Sequence, residues 1–224
     1  MKSNVIFLTI DSLREDKCIG ETKSSKTPNL DKLIHDGIYF SQTISSSDQT
    51  GTSLASIFTA NSPHRTGLTQ INFSSNTKTF IDLLKSCEYE TYSFTPDTPF
   101  FIDLVSKSDK SLHYSFENKE LWKPLDEGLG NRLIEFLNKD KLKNPWFMYI
   151  HLMDIRPPYL VPKGFESEEF GKTKYDQIIS SIDIWIGKMM EKMNFDDTIL
   201  IISSDHGEYI PVTGENISEI PTIQ

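Results

Sequence analysis

One pattern constrains this chain more than any other: short runs of β-branched and aromatic residues alternate with longer stretches of helical period. Neighbouring parallel strands need crossover connections, and helices are the usual ones. The alternation therefore predicts an α/β fold, with a mostly parallel central sheet flanked by helices in an α/β/α sandwich. Strands are predicted over residues 5–10, 39–44, 91–95, 146–152 and 198–203. The first, fourth and fifth are almost wholly apolar, as strands covered on both faces are, so these three are expected at the sheet centre. Helices are predicted over 27–34, 53–59, 78–85, 127–138 and 175–193. Thr27 is placed to cap the first, Pro28 suits its first turn, and Gly37 follows its end. In the last, Ile178, Ile182, Trp185, Ile186 and Met189 recur at steps of three and four, a stripe that faces a core. Residues 107–123 read as a polar surface excursion, and 209–224 as a loop with Pro, Gly and Asn but no period. There is no internal repeat and no low-complexity linker, so residues 1–224 are expected to form a single domain.

The formal charge of -9, with no cluster of Lys and Arg, excludes a nucleic-acid surface and suits a protein that collects cations. No run of about 18 apolar residues is available to span a bilayer. The apolar run that begins at Asn4 is too short and too early for a secretion signal. Cys18 and Cys87 stand in unrelated contexts and read as reduced and structural. A cytoplasmic location is the expectation from these features.

Open parallel sheets bind ligands just beyond the carboxyl ends of their strands, and three chemical features fall there. Asp11 follows the first strand, Asp205-His206-Gly207-Glu208 follows the last, and Thr50 ends a Ser-rich loop ahead of a helix that Ser53 could cap. Two carboxylates and an imidazole on one sheet edge make a divalent-cation site, with a hydroxyl to complete the shell. A bound cation would lower the pKa of the Thr50 hydroxyl for attack on phosphorus or sulfur, and the following helix would offer N–H groups to the ester anion. Each residue also has a structural reading: Asp11 as a turn-capping carboxylate, Thr50 as a cap hydroxyl with Ser47 and Ser53 as weaker substitutes for the nucleophile, and Asp48 as a solvated loop residue. Arg14 and Asp16 are expected to pair with each other or with neighbouring backbone, and His35, His64 and His113 to be surface or structural residues.

The segments Asn4-Val-Ile-Phe-Leu-Thr-Ile-Asp-Ser-Leu-Arg-Glu-Asp16, Thr27-Pro-Asn-Leu-Asp-Lys-Leu33 and Gly37-Ile-Tyr-Phe40 resemble the opening of the sulfatase family, within the alkaline phosphatase-like superfamily. Thr50-Gly-Thr-Ser-Leu-Ala-Ser-Ile-Phe-Thr59 is similar to its nucleophile segment, His151-Leu-Met-Asp-Ile-Arg-Pro-Pro-Tyr159 to its His-x-x-Asp-Pro-His-x-Pro-Tyr loop, and Ile201 to Glu208 to its Ser-Asp-His-Gly-Glu segment. The resemblance implies that Asp11, Thr50, Asp205 and His206 hold one divalent ion (calcium, manganese, magnesium or zinc). It also implies that Thr50 is the nucleophile, that His151 and Arg156 serve the reaction, and that the substrate is a small anionic sulfate or phosphate ester. His151 could instead be a satisfied core residue, and Arg156 could pair with a surface carboxylate.

Four departures qualify the resemblance. Ser12 follows Asp11 where family sulfatases have an acidic pair. Thr50 replaces the Cys or Ser that matures to formylglycine, Leu54 replaces an Arg or His, and Arg156 stands where the loop supplies a His. A Thr nucleophile resembles the phosphatase and phosphotransferase branches and argues against the usual route of sulfate-ester cleavage. Family members continue for a further stretch of comparable length, so the chain is expected to be C-terminally incomplete, with a partner chain as one source of the remainder. The alternative function is a catalytically incomplete remnant that binds metal or anion.

Overall fold

The computed structural model describes residues 2–115, 124–125, 127–138, 142–157 and 159–209. In chain order these form β1 (Asn4–Ile10), a 3-10 turn (Glu15–Lys17), α1 (Pro28–Asp36), α2 (Thr50–Thr59), α3 (Pro63–Thr66), α4 (Phe80–Ser86), β2 (Glu90–Pro96), α5 (Pro99–Leu104), β3 (Lys110–Tyr114), α6 (Leu129–Leu137), β4 (Trp146–Leu152), α7 (Lys174–Met190) and β5 (Thr198–Ser203). The five strands make one sheet in the order β3-β2-β4-β1-β5. Every pairing is parallel. The predicted α/β class with helices on both faces is therefore the observed one.

Side-chain alternation along the strands divides the core in two. Ile6, Leu8, Ile10, Met148, Ile150 and Leu152 face α6 and α7, where Leu133, Ile178, Ile182, Trp185, Ile186 and Met189 close over them. Phe7, Phe147 and Tyr149 face the other way, against Leu54, Phe58, Ile81, Phe101 and Leu104 of α2, α4 and α5. Leu8 and Ile150 are wholly removed from water, each worth about 1.5–3 kcal/mol relative to exposure. The stripe predicted on α7 is buried throughout. That helix begins in a reciprocal cap, in which the Thr173 hydroxyl accepts from the Asp176 amide at 3.2 Å and the Asp176 carboxylate accepts from the Thr173 amide at 3.2 Å.

Several expectations are corrected. Residues 39–44 form no strand; they run as an irregular, exposed segment in which Phe40 and Ile44 lie open to solvent. A strand absent from the sequence reading, β3, occupies one sheet edge within the predicted surface excursion, of which residues 116–123 lie outside the described ones. Apolar β5 pairs only with β1 among the described residues, so it is an edge there and not a central strand. At this edge Ile199 and Ile201 are half exposed. Thr27 makes no side-chain cap; the first amides of α1 are satisfied across the fold by Asp183, which accepts from Asn29 N at 3.1 Å and Leu30 N at 2.8 Å. α2 starts at Thr50, three residues before the predicted start. The loop predicted over 209–224 lies, apart from Tyr209, outside the described residues. Among the described residues no helix is long and apolar enough to cross a membrane.

Candidate active site

Parallel pairing delivers the chemical residues to one edge. Thr9 of β1 stands opposite His151 of β4 and Ser203 of β5, so the chain just beyond these positions leaves the sheet at the same level. Asp11, one residue past β1, and Asp205, two past β5, are both buried. The backbone reverses at Ser12, whose φ of 61° lies in the left-handed region. This turn aims the Ser12 amide at Asp205 Oδ1, 3.1 Å away, and the Ser12 hydroxyl at Asp11 Oδ1, 2.8 Å away. Tyr175 of α7 donates to the Ser12 carbonyl at 2.6 Å and accepts from the Arg14 amide at 2.9 Å, which ties the turn to the helix layer.

Thr50 arrives from the other side of the sheet as the first residue of α2. Its Oγ1 donates to Asp11 Oδ2 at 3.0 Å and lies 3.1 Å from His206 Nε2. The start of α2 is held to the β5 loop because Ser53 and Ser45 both donate to the Asp205 carbonyl, at 2.6 and 2.8 Å. Ser53, read as a cap, is thus a clamp between helix and loop. Gly51 is required by close approach: a β-carbon there would lie 2.3 Å from Gln70 Cβ. The His206 ring places Nδ1 2.7 Å from the Gly207 carbonyl, which can only accept. The neutral ring therefore carries its proton on Nδ1 and turns a lone pair at Nε2 toward the Thr50 hydroxyl.

His151 is wholly buried, with Nε2 3.4 Å from Asp11 Oδ2. Its Nδ1 lies 2.7 Å from Thr9 Oγ1 and 3.1 Å from the Tyr149 hydroxyl, and these two hydroxyls are 3.0 Å apart. Because both hydroxyls can donate or accept, the network serves either tautomer of the ring. Thr9 has the Ile150 carbonyl at 3.3 Å as an alternative acceptor. Burial holds Tyr149 well above the usual phenol range, so its hydroxyl keeps its proton.

Arg156 reaches in from the loop after β4. Its Nη1 is 2.9 Å from Asp11 Oδ1 and 3.4 Å from Thr50 Oγ1. For Asp11, burial pushes the carboxyl up, but the His151 hydrogen bond and charge and the Arg156 charge together outweigh burial and hold it well below the usual carboxylate range. Asp205 differs. Its Oδ1 accepts from the Ser12 and His206 amides at 3.1 and 2.9 Å, while its buried Oδ2 has no hydrogen-bond partner. Asp11, His151 and Asp205 offer ligand atoms that all lie within 4.8 Å of one another. A buried carboxylate oxygen with no hydrogen-bond partner, beside a second carboxylate and two imidazoles, is an arrangement a cation would resolve.

The structure therefore brings together all six residues singled out in the sequence. It places His151 beside the two carboxylates as well, and His206 at the same cluster, with Nε2 3.5 Å from Asp205 Oδ2 and 3.1 Å from the Thr50 hydroxyl. Arg14 and Asp16 pair with each other at 2.8 and 3.0 Å. His35 and His64 are exposed, and half-buried His113 lies 3.0 Å from Thr95 Oγ1. The sequence reading missed Thr9 and Tyr149, whose signal was a hydroxyl-bearing residue inside an otherwise apolar strand, a place where polar groups need a partner.

The sulfatase family profile matches residues 3–220. A curated protein of Haemophilus influenzae, described only as uncharacterized, is 23% identical over 207 residues, covering 92% of this chain and 32% of that protein. Among solved structures, a candidate sulfatase from Bacteroides fragilis superposes with a TM-score of 0.74 at 22% identity, over 92% of this chain and 62% of its own. A Vibrio parahaemolyticus protein of the alkaline phosphatase superfamily gives 0.72 at 22%, over 96% and 56%. The chain thus spans about a third of the curated relative's length and about 60% of these two structures. With the profile covering nearly the whole chain and the same fold in both solved neighbours, this chain belongs to the sulfatase family.

Proposed function

We propose that the chain carries the nucleophile-bearing part of a metal-dependent hydrolase or transferase acting on small phosphate esters, with Thr50 as nucleophile. One observation carries the reading: the Thr50 hydroxyl stands at the first position of α2 between two proton acceptors, Asp11 Oδ2 at 3.0 Å and His206 Nε2 at 3.1 Å. Asp11, His151 and Asp205 are the residues suited to hold a divalent ion, with Thr50 and His206 at its margin. Such an ion would supply Lewis-acid stabilisation of the ester oxygens and of the Thr50 alkoxide.

The chain's own residues account for the rest. The first amides of α2 have no partner within the helix and face the anion beside Thr50. Thr50 Oγ1 forms a bond to phosphorus as the bond to the departing alcohol oxygen breaks; its one proton turns from Asp11 Oδ2 to His206 Nε2, which takes it, and the departing alkoxide takes a proton from water. The phosphothreonine then transfers the phosphoryl group to water or to an acceptor hydroxyl. Threonine supports phosphate over sulfate, since the formylglycine route requires Cys or Ser at this position.

The test is elemental analysis of the purified chain beside Asp205→Ala, then turnover of p-nitrophenyl phosphate and p-nitrophenyl sulfate with the metal found. Stoichiometric metal lost in Asp205→Ala, together with phosphate-ester turnover lost in Thr50→Val, is the expected result. Turnover that survives Thr50→Val would remove the nucleophile. One observation favours the second reading, a binding remnant without turnover: Arg156 Nη1 already lies 3.4 Å from Thr50 Oγ1. Metal binding with no turnover of either ester would select it.

A further inference from the structure

The polar groups of the site leave one cation unexplained. Arg156 Nη1 contacts Asp11 Oδ1 at 2.9 Å, in the same carboxylate whose other oxygen faces Thr50 and His151. Asp11 is wholly buried, whereas the Arg156 side chain is 36% exposed, so the guanidinium enters from solvent to neutralise a carboxylate that cannot itself reach water. Across the site, Asp205 Oδ2 has no hydrogen-bond partner, and the group nearest to pairing with it is the His206 imidazole, with Nε2 at 3.5 Å, not a permanent cation. Fixed positive charge therefore sits on one carboxylate only. An ion shared by Asp11, His151 and Asp205 would approach the same carboxylate that Arg156 holds, in a site where screening is poor.

From this geometry we infer that Arg156 is a resident counter-ion: a divalent ion competes with it for Asp11, and the released guanidinium then takes the anionic oxygens of the ester. The inference rests on the metal reading of the site given above. Arg156 is suited to both positions. Its planar fork matches a carboxylate and a phosphate equally well, and its charge is permanent, so exchange between them needs no proton transfer. Its partial exposure gives the side chain room to leave Asp11 without unpacking the core. Before the ion arrives, the pair also answers a structural need, since Asp11 would otherwise be a buried charge next to Asp205.

The experiment compares wild type, Arg156→Met, Arg156→Gln and Arg156→Lys by calorimetric titration with Mn²⁺ and then, on the Mn²⁺-loaded proteins, with orthophosphate. Metal-free melting temperatures are measured alongside. Arg156→Met should bind Mn²⁺ roughly tenfold tighter or better, bind orthophosphate more weakly, and melt lower than wild type when metal-free. Arg156→Lys, which keeps the charge without the fork, should fall between. Arg156→Gln keeps a donor for Asp11 and preserves the comparison if Arg156→Met does not fold. A residue that merely braced the loop would lower the melting temperature without tightening metal. If wild type and variants bind Mn²⁺ equally, or the variants bind it less, the counter-ion role is overturned and the metal site stands. If none binds Mn²⁺, both fall. Unchanged orthophosphate affinity in loaded Arg156→Met would overturn the transfer to the ester anion.

Discussion

The two carboxylates of the site are equally buried and only a turn apart in space, yet they are maintained by opposite means. Asp11, on the β1 and β4 side, is surrounded by side chains: the Ser12 hydroxyl, Thr50, His151 and Arg156. Asp205, on the β5 side, is held through one oxygen by two backbone amides, and its second oxygen has no hydrogen-bond partner, with His206 Nε2 standing off at 3.5 Å. The first half is nearly complete as a stable ion network. The second is held rigidly and left one interaction short. Buried groups without hydrogen-bond partners cost on the order of 1–3 kcal/mol, and under the proposed function a bound cation is what offsets that cost at Asp205.

The comparison is open to attack by substitution. Asp11→Ala should have the largest effect. It removes metal binding and also strands the Arg156 charge and the His151 ring, so chemical denaturation should show a loss on the order of 3 kcal/mol, discounted from the fully buried case because Arg156 is partly exposed. Thr9→Val should cost about 1–2 kcal/mol, because His151 Nδ1 and the Tyr149 hydroxyl lose a shared partner inside the sheet. It should also weaken metal by roughly tenfold or more through misorientation of the ring. Asp205→Asn should barely move the denaturation midpoint, by under about 1 kcal/mol, because the amide oxygen still accepts from both backbone N–H groups, while metal is lost. If Asp205→Asn proved as destabilising as Asp11→Ala, the two halves would not differ in the way described.

The sequence revealed the sheet wherever burial was complete and concealed it at the edges. β1 and β4 are apolar because both faces are covered, and their boundaries were read to within a residue. β3 was hidden because an edge strand with one partner tolerates Lys110, Ser111 and His113, which erase the apolar signal. Residues 39–44 failed in the reverse direction: their β-branched and aromatic content matches a strand, but no strand pairs with them among the described residues. For the site, placement past strand ends was enough to find Asp11 and Asp205, while Thr50, which follows no strand, was marked by the Ser-rich loop ahead of its helix. The Arg156 contact with Asp11 spans 145 positions and depends on how far a loop folds back over the sheet edge, which no local pattern records. The approach of His151 to Asp11 was hidden for a related reason: register decides it, and register appears only when β1 and β4 are paired.

Ser12 links this geometry to the history such a site can have. Its left-handed backbone is one that Asp and Asn adopt more readily than most residues, so an acid at position 12 would meet little conformational resistance. The obstacle would be charge, because a third carboxylate would join two of which only Asp11 is paired with a guanidinium. Positions 12 and 156 are therefore expected to change together across relatives. A lineage with an acid at the first and no Arg at the second, the combination of the family pattern, would depend on a more strongly bound cation, whereas with Ser12 the single guanidinium suffices for Asp11.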